Sequence, residues 1–319
     1  MMIDLTYGGK SPLTVNNPVL LASGVAGYDG GPYSGVIDLS KLGAIVTNPL
    51  TWRPRHAANG PRVVPLPAGV LVHTGLPNPG VRRAIKLYRA RWARSLAPVI
   101  AHVVATTVED VAASVAELER CEAIAGIELG LHDRATPRDV ELILRAAQDA
   151  TMLPLMVRLP LYTALDLAPA AQDAGAGALV VSAPPRGTVR DPLSGQLAGG
   201  RIYGPWLKAQ ALRAVGQVAR AVSIPVLGCG GIHSPDDARD FLDAGAVAVQ
   251  IDTLLWAHPH MVEVIARNLG GLELTRVAGA LADEWEPGMG QTMWKRRLWD
   301  RPHRPLDVRP LRPPEDLPE

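Results

Sequence analysis

The sequence predicts a single α/β domain, a (β/α)8 TIM barrel, on the strength of three observations. The 319 residues suffice for one large barrel. Eight short and almost continuously apolar runs recur along the chain, which is typical of parallel strands buried on both faces. Segments with apolar residues at three- and four-residue spacing separate these runs. Such alternation favours a barrel over its alternative, a doubly wound sheet.

The predicted strands, in chain order, are PVLLAS (18–23), GAIVTN (43–48), PVIAHVVA (98–105), AGIELG (125–130), LPLMVRL (153–159), GALVVSA (177–183), IPVLGCG (224–230) and AVAVQI (246–251). The clearest helix is predicted over 107–121, with Thr107 as its N-cap. A second is predicted within 234–245, where Ser234 is the cap and Gly245 ends the helix.

Two long insertions and a tail extend this barrel. Residues 49–79 and 185–204 each follow a predicted strand, which places both on the C-terminal rim, where barrel enzymes carry their sites. Connections of this length without clear structure are usually functional, for example as a lid. The barrel is predicted to span 1–284. Residues 285–319, rich in proline and arginine toward the end, are predicted to form an extended tail.

Composition limits the possible functions. The chain is 47% hydrophobic and 20% charged with a net charge of +1, which indicates a substantial core and no general attraction to nucleic acid or anionic membranes. No apolar run approaches a membrane span, and the N-terminus lacks a signal-peptide pattern, so a cytoplasmic protein is expected. Two cysteines are too few for a disulfide framework or a zinc site.

A phosphate site is predicted where the last two strands end. Gly228, Gly230 and Gly231 end the seventh strand, and Asp252 and Thr253 follow the eighth. Loops after these strands often bind phosphate in barrels, because glycines let backbone N–H groups approach an anion. The alternative is that the glycines simply make tight turns. Asp252 argues against phosphate, since it adds a carboxylate beside a second anion.

Several stretches together resemble one family. NNPVLLASGVAGYDG, LGAIVTNPLTWRPR, PAGVLVHTGLPNPGV and the segment from AGGRIYG to IDTLLW are similar to the dihydroorotate dehydrogenases, chiefly their soluble class, in collinear order over about residues 1–268. The resemblance implies a barrel with FMN at its C-terminal rim, oxidation of dihydroorotate to orotate, and a homodimer. It implies that the cofactor is bound by Ala22, Ser23, Gly24, Thr47, Arg158, Ser182, Gly204, Gly228, Gly230, Gly231, Asp252 and Thr253.

The substrate side departs from the family pattern. The family's threonine–lysine pair is Thr47–Asn48 here, and the stretch that carries two of its substrate asparagines, with its cysteine base nearby, is GLHDRA, residues 130–135. Four family asparagines are replaced, by Val72, Gly130, Ala135 and Ala183. Orotate is a planar carboxylate with amide edges, and leaving such groups unmatched in a buried site is costly. We therefore expect a substrate other than dihydroorotate.

The catalytic candidates are His132, Asp133, Asn48 and His73. His132 and Asp133 stand at the family's base position, where a histidine beside a carboxylate can act as a general base. An exposed loop pair or a helix cap is the alternative for these two. His73 and Asn48 are candidates for contacts to substrate or flavin. Arg158 favours a role at the flavin pyrimidine edge, with an intraprotein ion pair as the alternative.

The sequence therefore favours an FMN-dependent oxidoreductase that acts on the CH–CH group of a small molecule. A second hypothesis is a family homologue without redox activity that serves as a binding or scaffold protein, without FMN. The lost lysine and asparagines motivate it. A third is a barrel whose phosphate loops bind a phosphorylated substrate. No metal is expected.

Overall fold

The computed structural model describes residues 2–7 and 12–270. The predicted domain end at residue 284 and the predicted tail, 285–319, lie outside the described residues. Within them the strands are β1 (Ile3–Asp4), β2 (Thr14–Val15), β3 (Val19–Leu21), β4 (Ala44–Val46), β5 (Val63–Leu66), β6 (Gly69–Val72), β7 (Val99–Val104), β8 (Gly126–Gly130), β9 (Leu155–Pro160), β10 (Ala178–Ala183), β11 (Arg186–Arg190), β12 (Leu197–Tyr203), β13 (Val226–Cys229) and β14 (Ala248–Ile251).

Eight of these strands close a parallel barrel in the order β3-β4-β7-β8-β9-β10-β13-β14, with β14 paired to β3. Every neighbouring pair in the barrel is parallel. Each strand lies on one of the eight predicted apolar runs, so the barrel prediction is confirmed. The runs are apolar because one face of each strand fills the barrel and the other meets the helices.

The helices are α1 (Val81–Trp92), α2 (Val108–Glu119), α3 (Pro137–Ala150), α4 (Ala164–Asp173), α5 (Lys208–Ala221), α6 (Pro235–Asp243), α7 (Leu254–Ala257) and α8 (Pro259–Gly270). Thr107 and Ser234 cap α2 and α6 as predicted, each accepting from a backbone N–H three residues on. Two 3₁₀ turns replace a helix between β3 and β4. In the described part of the chain, none of the helices has the length and apolar character that crossing a bilayer requires.

The two insertions build one antiparallel sheet, in the order β11-β12-β6-β5, which we call the rim sheet. In its central pairing, β12 of the second insertion lies beside β6 of the first, with Arg201 opposite Val72. Val64, Leu71 and Ala198 form its small buried core. The expectation that residues 49–79 lack clear structure was wrong, because β5 and β6 form a hairpin within this insertion and β6 also pairs with β12.

Candidate functional site

The carboxyl ends of the barrel strands meet at one end of the barrel, and the predicted site residues follow several of these strands. The Ser23 hydroxyl, after β3, donates to the Thr47 carbonyl oxygen, after β4, over 2.8 Å. The Thr47 hydroxyl in turn accepts from the backbone N–H of His102 in β7 at 3.1 Å. Ala22 and Gly24 therefore flank a point where three adjacent strand ends are tied together.

A buried polar layer crosses the barrel interior and consists of His102, Glu128, Arg158, Cys229 and Gln250. Glu128 is its centre: one carboxylate oxygen lies 2.7 Å from His102 Nδ1 and the other accepts from Gln250 Nε2 at 2.5 Å. Glu128 lies on β8 and Gln250 on β14, on opposite sides of the barrel. The bond between Glu128 and Gln250 therefore links two strands that share no backbone ladder.

Arg158 is the cation of this layer. Its guanidinium lies 3.6 Å from the Glu128 carboxylate, and it donates to Gln250 Oε1 at 3.3 Å. It also donates to the Ser182 carbonyl oxygen at 3.3 Å and to Cys229 Sγ at 3.2 Å. The intraprotein ion pair, one of the two interpretations of Arg158, is therefore present, and Ser182 is held through its backbone.

The layer fixes the ionisation of its members. Burial opposes the charge on Glu128, but the hydrogen bond from His102 and the charge on Arg158 outweigh it and lower the pKa to about 2. Burial raises the pKa of the Cys229 thiol to about 12, against the opposing charge of Arg158. Cys229 is therefore a neutral thiol at pH 7 and is not a nucleophile.

Sequence reasoning missed Glu128 and Gln250. Each is a single polar residue inside a predicted strand, AGIELG or AVAVQI. A buried carboxylate requires a partner, so Glu128 in an apolar run was the available signal for a polar cluster in the barrel.

His132 and Asp133 were predicted to act together as a general base, but their side chains do not hydrogen-bond to each other. Asp133 accepts from Arg186 Nε at 2.8 Å and from Arg201 at 2.5 Å, both on the rim sheet. Burial raises the pKa of Asp133, but the two arginines outweigh it and hold the pKa below its usual range. His132 is exposed, and its Nδ1 accepts from the Arg134 backbone N–H at 3.1 Å. His132 and Asp133 therefore have separate partners, and Asp133 is partly buried.

We expect Asp133→Asn to act on stability, because Asp133 joins the barrel to the rim sheet. The loss should be about 1 kcal/mol at pH 7 in urea unfolding, since partly exposed ion pairs contribute little. The lowered pKa of Asp133 means that its contribution is present above the ordinary carboxyl pKa and is lost as the pH falls through its folded-state value. Wild type and variant should therefore converge in acid. A variant as stable as wild type at pH 7 would contradict this role.

The other two catalytic candidates, His73 and Asn48, follow different strands, β6 and β4. His73 is exposed beside the rim sheet, where its backbone N–H donates to the Arg62 carbonyl oxygen at 2.7 Å. Asn48 follows β4, and its backbone N–H donates to the Gly27 carbonyl oxygen at 2.7 Å. The Asn48 side-chain oxygen is buried without a hydrogen-bond partner. Such an unpaired acceptor beside the strand ends is suited to a ligand N–H or O–H.

His102 occupies the space beside Gly130, one of the positions where the resemblance places an asparagine. A Cβ atom on Gly130 would lie 2.5 Å from His102 Nε2, much closer than real Cβ contacts. Glu128 holds the other side of the imidazole through Nδ1. Nε2 has no hydrogen-bond partner among the residues that the structure describes. The imidazole therefore occupies the space that a side chain at residue 130 would need.

The predicted phosphate loops lie at the ends of β13 and β14. Gly230 and Gly231 have positive φ angles of 120° and 72°. A side chain on Gly231 would collide with the backbone of Pro205 and Lys208, so this loop packs tightly against the segment that follows Gly204.

Packing, and not a ligand, explains the glycine at position 228. A Cβ atom there would meet the Phe241 ring of α6. Its small size is therefore needed for strand–helix packing, whichever ligand the loops bind.

A family model described as dihydroorotate dehydrogenase matches residues 11–272 of the chain. A protein of Desulforudis audaxviator (strain MP104C), named dihydroorotate dehydrogenase B (NAD(+)), catalytic subunit, is 35% identical over 274 residues. That match covers 81% of this chain and 89% of the relative. A protein of the same name from Pelobacter propionicus (strain DSM 2379 / NBRC 103807 / OttBd1) is 35% identical over 286 residues, covering 84% of this chain and 93% of the relative.

Proposed function

Because the chain belongs to the dihydroorotate dehydrogenase family, we propose that it is an FMN-dependent oxidoreductase acting on a small CH–CH substrate other than dihydroorotate. Family membership supports a dihydroorotate-dehydrogenase-like oxidoreductase. The cofactor and the change of substrate rest on the residues at the barrel end.

Two features of the barrel end support a flavin there. Gly24 has a φ of 91°, and beyond its chain neighbours no atom of the described residues lies within 4 Å of where its Cβ would be. The unpaired Asn48 oxygen offers an acceptor, and the Arg158 guanidinium, already paired with Glu128, lies at the Ser182 carbonyl oxygen. We propose that FMN is held by Ala22, Ser23, Gly24, Thr47, Asn48, Arg158, Ser182, Gly204, Gly230, Gly231 and Thr253. When bound, FMN supplies the hydride-accepting group.

The single observation that carries the change of substrate is the position of His102. Its imidazole fills the space beside Gly130 and is fixed there by Glu128. An asparagine at residue 130 is sterically excluded while His102 stays in place. A substrate that needs that amide therefore loses a hydrogen bond, and a site built for such groups discriminates strongly against mismatches.

His102 is also the best-placed proton acceptor in this site. With Nδ1 donating to the Glu128 carboxylate, the lone pair of a neutral imidazole lies at Nε2, which has no partner within residues 2–7 and 12–270. A carboxylate behind a histidine orients the ring and stabilises its protonated form. We therefore favour His102 over His132 and Asp133 as the group that holds the substrate proton.

A second candidate is a homologue without redox activity that binds another ligand or a partner. The position of Asp252, described below, is the observation that favours it. In either case the family resemblance is the support for a homodimer and for a cytoplasmic location.

The deciding experiment is the visible absorption spectrum of the purified protein, with the supernatant analysed for FMN after heat release. Flavin bands and FMN in near-equal amount to protein would support the proposal. Photoreduced enzyme should then be reoxidised by conjugated enoates other than orotate, with orotate as the control. A colourless protein that does not bind added FMN would refute the oxidoreductase. Reoxidation by orotate alone would refute the change of substrate.

A further inference from the structure

At the end of β14, Asp252 accepts the hydrogen bonds that a ligand phosphate would need. Its Oδ1 accepts from the Thr253 backbone N–H at 2.6 Å and from the Thr253 hydroxyl at 3.3 Å. Asp252 is 3% exposed and Thr253 is 8% exposed. The carboxylate is therefore buried and hydrogen-bonded within this loop, and it is not solvated.

The groups around Asp252 compensate its charge weakly. Arg158 and His233 are the positive or potentially positive groups that face it, and Arg158 is already bound to Glu128. Tyr203 and Cys229 face it as neutral groups, because burial raises the pKa of each to about 12. Burial also raises the pKa of Asp252 itself. A further negative charge beside this carboxyl group is therefore unfavourable.

His233 interacts electrostatically with Asp252. It follows Gly231 in the loop after β13, and its Nδ1 is buried without a hydrogen-bond partner. Its backbone N–H donates to Asp237 at 2.9 Å, which fixes the loop and leaves the ring nitrogen available. An unpaired buried nitrogen beside a buried carboxylate indicates a site that accepts polar groups from a ligand.

We propose that Asp252 is a specificity-determining residue that occupies the phosphate end of the flavin site, so that the site gains little from the phosphate of FMN. The proposal rests on the flavin-dependent function proposed above. One N–H donates one strong hydrogen bond, and Asp252 already accepts it from Thr253. A phosphate must displace this carboxylate or lie beside it, and like charges at such distances repel. Binding then depends on the ring and the ribityl chain.

The test compares the dissociation constants of FMN and riboflavin, from quenching of flavin fluorescence on flavin-free protein. Wild type should bind the two within about threefold of each other. Asp252→Gly frees the Thr253 N–H and removes the charge, and should strengthen FMN binding at least about tenfold with riboflavin unchanged. Asp252→Asn removes the charge alone and should give a smaller gain in the same direction. Asp149→Asn is the matched control, because it removes the charge of an exposed aspartate on α3.

The outcomes separate the two proposals. If wild type already prefers FMN by tenfold or more, or if neither Asp252 variant gains FMN affinity, the inference is overturned and the flavin function stands. If neither flavin binds any of the proteins, both are overturned. FMN binding by Asp252→Gly alone would support the inference and favour the homologue without redox activity. If Asp252→Gly does not fold, by circular dichroism and thermal unfolding, Asp252→Asn decides.

Discussion

Replacing Glu128 with alanine is expected to destabilise the protein by about 3–5 kcal/mol, because it leaves Arg158 as a buried cation without its counterion. The same change removes the acceptor for Gln250 Nε2 and the partner of His102 Nδ1. Urea unfolding at pH 7 measures the loss. Glu141→Ala, which breaks a surface pair with Arg138, is the matched control and should change stability by less than about 1 kcal/mol.

The pH dependence of this effect has a defined sign. The pKa of Glu128 is lowered to about 2 in the folded chain, so its contribution is complete above the ordinary carboxyl pKa near 4.5. It is lost as the pH falls from there towards 2. The stability difference between wild type and Glu128→Gln should therefore shrink between pH 5 and the lowest pH at which wild type stays folded. A constant difference over that range would show that Glu128 carries no special charge interaction.

The barrel was predictable because its signal is local. Each barrel strand is buried on both faces, so its apolar run identifies it without knowledge of its neighbours. The rim sheet consists of two local hairpins, but the pairing of β6 with β12 joins two separate insertions and has no local signal. The pairing of Asp133 with Arg186 and Arg201 depends on that sheet, and for this reason the sequence could only leave its role open.

The polar layer shows a similar limit inside the barrel. Arg158 was recognised as a buried arginine that needs an anion, but its anion is on another strand. The positions facing the barrel interior alternate along each strand, and which of them meet depends on the stagger of strands around the barrel. Sequence alone gives the strands but not that stagger. The partnership of His102 with Glu128 therefore required the structure.

Gly130→Asn, which reintroduces an asparagine at a position where the family carries one, is expected to destabilise the fold. Its Cβ would lie 2.5 Å from His102 Nε2, and the imidazole can withdraw only by giving up its bond to Glu128. Overpacking of this kind costs about 1–3 kcal/mol. Gly35→Asn is the matched control, because a Cβ at Gly35 meets nothing within 4 Å. Thermal and urea unfolding of the two variants give the comparison.

The cause of that loss is separable by a double-mutant cycle. If His102 is the obstacle, Gly130→Asn should cost less by about 1 kcal/mol or more in a His102→Ala background than in wild type. If the stability losses of the two substitutions are additive, His102 is not the obstacle, and the steric argument for a changed substrate is refuted. Coupling between the two positions would mean that His102 and an asparagine at residue 130 exclude each other. A single substitution at residue 130 then could not place an asparagine there, because the imidazole, held by the buried Glu128 carboxylate, occupies the space.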